Sequence, residues 1–325
     1  MIMRLTTPVH ISPAQATIDY NDKILLLGSC FADNVGEKLE QHYFQTTINP
    51  FGTLYNPASI AEAIRLAQAD NTALLPMVEW GGLWHAMTHH GAFSNSNKEI
   101  AFQQCMASIV HLREALREAS VIVVTFGTAW IYECGRHFPN ADKFVNKVVA
   151  NCHKMPANWF VRRRLSVEDI VSVWQPLIDS MPNKHWIFTV SPIRHIKDGL
   201  HENQLSKAIL LQAVDCLTAK RSNASVGSII SYFPAYEIMI DELRDYRFYA
   251  DDLLHPSSMA VEYIWQRFID GFMTSSTREE MIPLYQLWRD KNHTFLHPDS
   301  KEAIAFQRRM QKRIEDLLMK YPWIQ

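Results

Sequence analysis

No stretch of this sequence reaches the roughly eighteen uninterrupted apolar residues that a membrane-spanning helix needs. The N-terminal segment holds no apolar core of signal-peptide length, and Pro8 and Pro13 interrupt it, so the expected location is the cytoplasm. Cysteine is sparse. Cys30, Cys105, Cys134, Cys152 and Cys216 are odd in number, scattered and free of any CxxC pair, which argues against a disulfide scaffold or structural zinc and fits a reducing compartment. The sequons at Asn223 and Asn292 therefore carry no weight. Net charge is also small: 32 Lys and Arg against 34 Asp and Glu leave −2. Neither nucleic acid nor a membrane surface is expected as a partner. The most basic run, Arg162-Arg163-Arg164, reads as a solvated helix start. There is no internal repeat and no low-complexity linker. The oligomeric state is left undefined.

Against these absences stands a large apolar content, 47% of 325 residues with 20% charged, enough for a sizeable core. Lys23–Gly28, Val121–Gly127, His185–Ser191 and Gly227–Phe233 are apolar almost throughout instead of alternating, the pattern of parallel strands covered on both faces. Helices are predicted at about Ala32–His42, Pro57–Ala69, Ile100–Ala119, Ser166–Ser180 and Asn203–Lys220, the fourth opened by a capping box of Ser166 and Asp169. Strand–helix alternation of this kind implies an α/β fold with a central parallel sheet. Met77–Asn97, rich in Gly, Trp, His and Asn, reads as strands or loops over the sheet's edge. After about Ser275 the chain turns helical and charged. Ile304, Phe306, Met310, Ile314, Leu317 and Leu318 form one stripe of an amphipathic helix expected to pack on the main body. The expected organisation is residues 1–275 as one domain and 276–325 as a helical extension.

Ligands of doubly wound sheets bind outside the carboxyl ends of the strands. The ends worth attention are Gly28-Ser29-Cys30, Gly127-Thr128-Ala129-Trp130 and Ser191-Pro192-Ile193-Arg194-His195. A hydroxyl and a thiol both stand where a helix begins, and helix N–H groups there favour an anion. Ser29 and Cys30 are both candidate nucleophiles, Cys30 because a thiolate at a helix N-terminus is credible. A serine nucleophile needs a base oriented by a carboxylate, and Asp252 and His255, three apart before Pro256, supply both from one loop. His85 and His89 stand four apart but in an unhelical setting without an acidic or thiol ligand nearby, so no metal is expected. Arg194 and His195 end a strand where an anionic substrate group could be held. Asp241, Arg244, Asp245 and Arg247 with Tyr246 and Tyr249 read as a structural network behind the Asp252/His255 loop.

Gly28-Ser29-Cys30-Phe31-Ala32, Asn49-Pro50-Phe51-Gly52-Thr53, Asn151-Cys152-His153-Lys154 and the Asp252–Ser257 segment together resemble the GSCFA family, a bacterial group placed in the SGNH/GDSL hydrolase superfamily. The resemblance covers most of the chain. It implies a three-layer αβα sandwich with its active site at the sheet's carboxyl edge. It further implies Ser29 as nucleophile, His255 as base and Asp252 as its partner, with the N–H groups of Ser29 and Gly52 forming an oxyanion hole. The third superfamily block usually carries Gly-x-Asn, whose amide completes that hole; here it is Gly127-Thr128-Ala129, and alanine cannot donate. Asn49, Asn56, Asn151 and Thr128 are candidate substitutes, with His85, His153 and Arg194 as further candidate substrate-binding residues. The activity implied is an esterase or deacetylase acting through an acyl-enzyme without a cofactor, on a small-molecule ester such as an acylated carbohydrate or cell-wall precursor. An O-acyltransferase, or a weakly catalytic or non-catalytic binding protein on the same scaffold, are the alternatives.

Overall fold

The computed structural model describes residues 6–12, 14–69, 75–219 and 227–324. Pro13, the sequon at Asn223 and the expected helix end at Lys220 lie outside these. β1 (Lys23–Gly28) leads into α1 (Cys30–Gln41), β2 (Gln45–Ile48) and α2 (Pro57–Gln68). A ribbon of β3 (Met77–Trp80) and β4 (Leu83–Ala86) precedes α3 (Lys98–Glu118) and β5 (Val121–Phe126). Next come β6 (Trp130–Cys134), the single turn α4 (Ala141–Phe144), β7 (Val148–Val149), β8 (Phe160–Arg164) and α5 (Val167–Ser180). β9 (His185–Val190), α6 (Leu200–Ala219), β10 (Ile229–Phe233) and the short α7 (Ala235–Glu237) follow, and then α8 (Ser258–Phe272), α9 (Ser275–Lys291) and α10 (Lys301–Leu318). Among the described residues no helix is long and apolar enough to cross a membrane.

Five parallel strands form the central sheet in the order β10-β9-β5-β1-β2. Numbered by appearance within the sheet this is 2-1-3-4-5, a doubly wound order whose direction of winding reverses between β1 and β5. The continuous apolar strands fill both faces. Leu25, Leu27, Ile122, Val124 and Phe188 pack with α2, α3, α5 and α6. Their alternating neighbours Ile24, Leu26, Val121, Val123 and Ile187 pack with α1, α8 and α9. Period-2 alternation thus divides one apolar run between two cores.

The capping box forms as read: Ser166 Oγ accepts from Asp169 N at 3.0 Å and Asp169 Oδ2 from Ser166 N at 2.9 Å. α10 lays Met310, Ile314, Leu317 and Leu318 against the α1/α8 core, beside the buried Tyr321 and Ile324, whereas Ile304 of the expected stripe is exposed. Two readings are corrected. Arg162–Arg164 are not a helix start but part of β8, which with β6 and β7 makes a small antiparallel sheet; Tyr132 faces Arg162 and Trp130 faces Arg164 across it. Arg162 and Arg163 are exposed, as a solvated run should be, but the run is a strand: the guanidinium of Arg162 lies 3.8 Å from the Trp130 ring centroid, over the aromatic side of the ladder. α1 begins at Cys30, two residues earlier than its apolar spacing suggests, because Ser29 takes the N-cap position. β2 escaped the sequence because Gln45, Thr46 and Thr47 are polar; it is an edge strand paired to β1.

Four enclosed histidines make this fold sensitive to acid. Burial pushes His89 down to about 3 and His153, His185 and His195 to about 4, against an ordinary 6.5. Between these values the unfolded chain binds protons that the folded chain refuses, so stability falls with pH across that window. The contribution is complete above pH 6.5 and declines below it by about 1.4 kcal/mol per pH unit for each ring. Melting temperature is expected to stay level from about pH 8 to 7 and to drop steeply from about 6.5 towards 5, with a shallower drop in His185→Phe. A melting temperature that does not change between pH 7 and 5 contradicts this account.

Candidate active site

A cleft of about 580 Å³ opens at the carboxyl edge of the sheet where the winding reverses. Ser29 and Cys30 at the start of α1, Tyr55 and Asn56 before α2, and Thr128 after β5 border it. Trp130, Tyr132 and Arg162 of the small sheet form one wall; Arg194, His195, Leu254 and His255 form the other. A second cavity of about 430 Å³, between α2, β7 and α5, contains none of the candidate residues.

Two glycines allow the loops to converge here. Gly28 sits at φ +134°, and a β-carbon on it would stand 2.1 Å from Thr125 O. Gly127 donates its N–H to Tyr55 O at 2.8 Å, as does Thr128 at 2.9 Å, and a β-carbon at 127 would meet that carbonyl at 2.8 Å. Ser29 is 1% exposed, and its Oγ has no hydrogen-bond partner among the described residues. Cys30 also borders the cleft, and burial pushes its thiol up, away from the thiolate a nucleophile needs. On the opposite side, His255 Nδ1 lies 2.6 Å from Asp252 Oδ2. Asp252 Oδ1 accepts from the N–H groups of Leu254 and His255 at 2.9 and 3.0 Å, and these bonds hold the carboxyl down to about 2. The pair is half-exposed, and the imidazole keeps Nε2 free for other partners.

Several expected site residues are employed elsewhere. Asn49 is a brace: its Oδ1 accepts from Gly28 N at 2.8 Å and its Nδ2 donates to Asp33 at 2.6 Å. Gly52 gives its N–H to Asn49 O at 2.7 Å, packs against His90 and does not border the cleft. His85 bonds Ser94 Oγ and Trp80 O, and His153 stacks on it with centroids 4.4 Å apart, both outside the cleft lining. His85 and His89 share no helix face, since β4 ends at Ala86 and His89 bonds Ser108. Among the described residues no three His, Cys, Asp or Glu side chains gather as metal ligands do. Ala129 is fully buried and its N–H goes to Ser206 Oγ at 2.7 Å. Of the candidate substitutes, Thr128 borders the cleft with its hydroxyl tied to Ser206 and Trp130 N. Asn151 borders it too, its Oδ1 accepting from His153 N. Asn56 caps α2 through Oδ1 at 2.8 Å and leaves Nδ2 uncommitted. Arg194 lies over Tyr246 and Tyr249 and donates to Leu253 O.

The support behind the cleft comes from α6, a helix the sequence predicts but whose polar buried residues it does not single out. Asn203, Ser206 and Lys207 occupy the buried face of α6 in its first two turns. Asn203 Oδ1 accepts from His195 N at 2.9 Å, Ser206 holds Ala129, and Lys207 Nζ donates to Gly127 O and Ser191 O at 2.7 Å each. Among the described residues no carboxylate pairs with Lys207, and complete burial pulls its ammonium down to about 7. The signal was present: three polar residues fall at the spacing that Leu210, Ala213, Val214 and Leu217 continue towards the core.

Fold and cleft define a doubly wound α/β protein with an open cleft at its switch point. The chain belongs to the GSCFA family, whose profile matches residues 23–268, from the first residue of β1 into α8. Among curated proteins none matches the chain.

The convergence of loops predicts a sharp contrast between glycines. Gly28→Ala meets backbone and is expected to cost about 3 kcal/mol or more in urea unfolding. Gly81→Ala, also at positive φ but with nothing within 4 Å of the added carbon, is expected to cost about 1 kcal/mol. Equal losses rule out the packing explanation.

Proposed function

We propose that this protein is a serine hydrolase of carboxylic esters, related to the SGNH/GDSL enzymes. The observation that carries the reading is the conjunction in one cleft of an unpartnered serine at a helix N-cap with a carboxylate-bound histidine. Ser29 Oγ attacks the ester carbonyl while its proton passes to His255 Nε2. Asp252, ionised at any working pH, fixes the imidazole through Nδ1. Collapse of the tetrahedral adduct expels the alcohol with the proton from His255. Water then adds to the acyl-enzyme by the reverse use of the same base and releases the acid. An acceptor hydroxyl in place of water makes the same chemistry an acyl transfer.

Substrate recognition in this reading falls to the two walls. Arg194 lies over the rings of Tyr246 and Tyr249 at the cleft's rim, and Arg162 over that of Trp130. Among the described residues that line the cleft there is no Asp or Glu. An ester with a negatively charged group beside the scissile bond suits such a surface.

One observation favours a second reading, a binding protein with little turnover: Ser29 is enclosed, and the N–H groups of Ser29, Gly52 and Ala129 are all committed. A fluorophosphonate probe separates the two. Labelling is expected in wild type and absent in Ser29→Ala, with His255→Ala slower by about 10²-fold or more. Folded wild-type protein that resists a panel of such probes establishes the binding reading instead. For recognition, 4-nitrophenyl hemisuccinate is expected to exceed the uncharged butyrate by about ten-fold in kcat/KM, roughly 1.4 kcal/mol. Arg194→Ala is expected to remove that preference while sparing the butyrate, and a preference that survives the substitution removes Arg194 from recognition.

A further inference from the structure

An acyl-enzyme mechanism needs hydrogen-bond donors for the oxygen that becomes negative in the tetrahedral adduct. The backbone donors the resemblance implied are engaged: Ser29 N–H with Thr125 O at 3.1 Å, and Gly52 N–H with Asn49 O at 2.7 Å. The third block has lost its amide and buried the position as Ala129. Yet two enclosed polar atoms near Gly127, Ser29 Oγ and His195 Nε2, have no hydrogen-bond partners among the described residues. A β-carbon on Gly127 would lie 3.4 Å from Ser29 Cβ and 3.5 Å from His195 Nε2. The serine and the imidazole therefore flank the same bare α-carbon, and both border the cleft.

We propose that His195 is the side-chain donor of the oxyanion site, hydrogen-bonding through Nε2–H to the oxygen that gains charge as Ser29 adds to the carbonyl. It takes the place of the asparagine amide absent at Ala129. This rests on the serine-hydrolase reading and deepens it. A donor of this kind must be fixed and must keep its proton. His195 is fixed because its backbone N–H is held by Asn203 and the preceding Ser191 carbonyl by Lys207. It keeps its proton because burial first, and then the Lys207 ammonium, hold the ring neutral at working pH. A neutral imidazole donates a hydrogen bond without surrendering the hydrogen, as an imidazolium would be prone to do.

The two histidines thereby divide the work. His255, half-exposed and bonded to Asp252, accepts the serine proton. His195, enclosed and without a carboxylate on its ring, carries no proton through the cycle. In the adding step the Ser29 Oγ–carbon bond forms, the carbonyl π pair moves onto oxygen, and the proton leaves for His255. The N–H of His195 stays intact.

The test measures 4-nitrophenyl acetate hydrolysis by wild type and by His195→Ala, His195→Gln, His195→Asn and His255→Ala, each checked by thermal melting. His195→Ala is expected to lower kcat by about 10²–10³ with KM changed by less than about three-fold. Glutamine, which carries an amide N–H near the Nε2 position, is expected to recover at least about ten-fold of that loss; asparagine, whose amide falls nearer Nδ1, is expected not to. The His195 variants should retain the acid limb of the kcat/KM profile and His255→Ala should lose it. An unchanged kcat in folded His195→Ala overturns the proposal, as does equal rescue by the two amides. Loss of the acid limb in His195→Gln makes His195 the base and also overturns it. If wild-type Ser29 takes up no fluorophosphonate, the hydrolase reading fails and this proposal falls with it; labelled wild type with an indifferent His195→Ala removes the proposal alone.

Discussion

The ammonium of Lys207, suspended between the carbonyls of Gly127 and Ser191, holds together the ends of β5 and β9 where the sheet has run out of strand pairing. The last backbone bond between them runs from Ser191 N to Phe126 O at 2.8 Å, and beyond it Gly127 and Ser191 each leave a carbonyl that the core cannot solvate. A buried lysine with no counter-ion is a costly way to satisfy them, and its ammonium is held near the point of losing its charge. What it achieves is position. The loops after β5 and β9 carry Thr128 and His195, and with Asn203 and Ser206 the same helix fastens both. The cleft is therefore braced from beneath by one polar helix start, while β1 and α1 bring Ser29 to it from the other side of the winding reversal.

This arrangement separates two electrostatic environments a short distance apart. The Asp252/His255 pair is wet, and backbone N–H groups stabilise its carboxylate. The Ser29/His195 side is dry, and burial disfavours charge there on every group, on Cys30, His195 and Lys207 alike. Charge is at home on one side and costly on the other. Such a gradient suits a reaction in which a proton leaves a serine towards solvent-facing imidazole while negative charge develops in the enclosed half.

The scaffold was legible in the sequence wherever one physical requirement governed a whole segment. β1, with its four apolar residues and its glycine end, emerged at its observed bounds, and Val121–Phe126 and His185–Val190 each differed by one residue. α5 was found from its cap. Segments answering to two requirements were misread: β8 because Arg162–Arg164 look solvated until the aromatic ladder of β6 is set opposite them, β2 because an edge strand has little need of apolar residues. In the site, local motifs such as Asp252–His255 could be read because three residues and a proline fix the geometry. The donors could not. Whether Gly52 or Asn49 offers a hydrogen bond to a ligand depends on which backbone atom arrives beside it, and that is decided by the Asn49–Gly52 turn and by Asp33 from α1. His195 and Lys207 acquire their significance only when β9 and α6 are superposed on Gly127.

The small antiparallel sheet of β6, β7 and β8 meets the cleft as a wall, through Trp130, Tyr132, Val149 and Arg162, and keeps its own apolar cluster around Phe138, Phe144, Val149 and Met155. It is inserted between β5 and α5, whereas the floor belongs to backbone geometry that admits almost no substitution. Wall and floor are therefore held by different means: the wall by side chains laid across a strand ladder, the floor by bare backbone at Gly28 and Gly127 and by the ammonium of Lys207. A change of side chain in the wall thus reshapes the cleft without moving the strand ends beneath it.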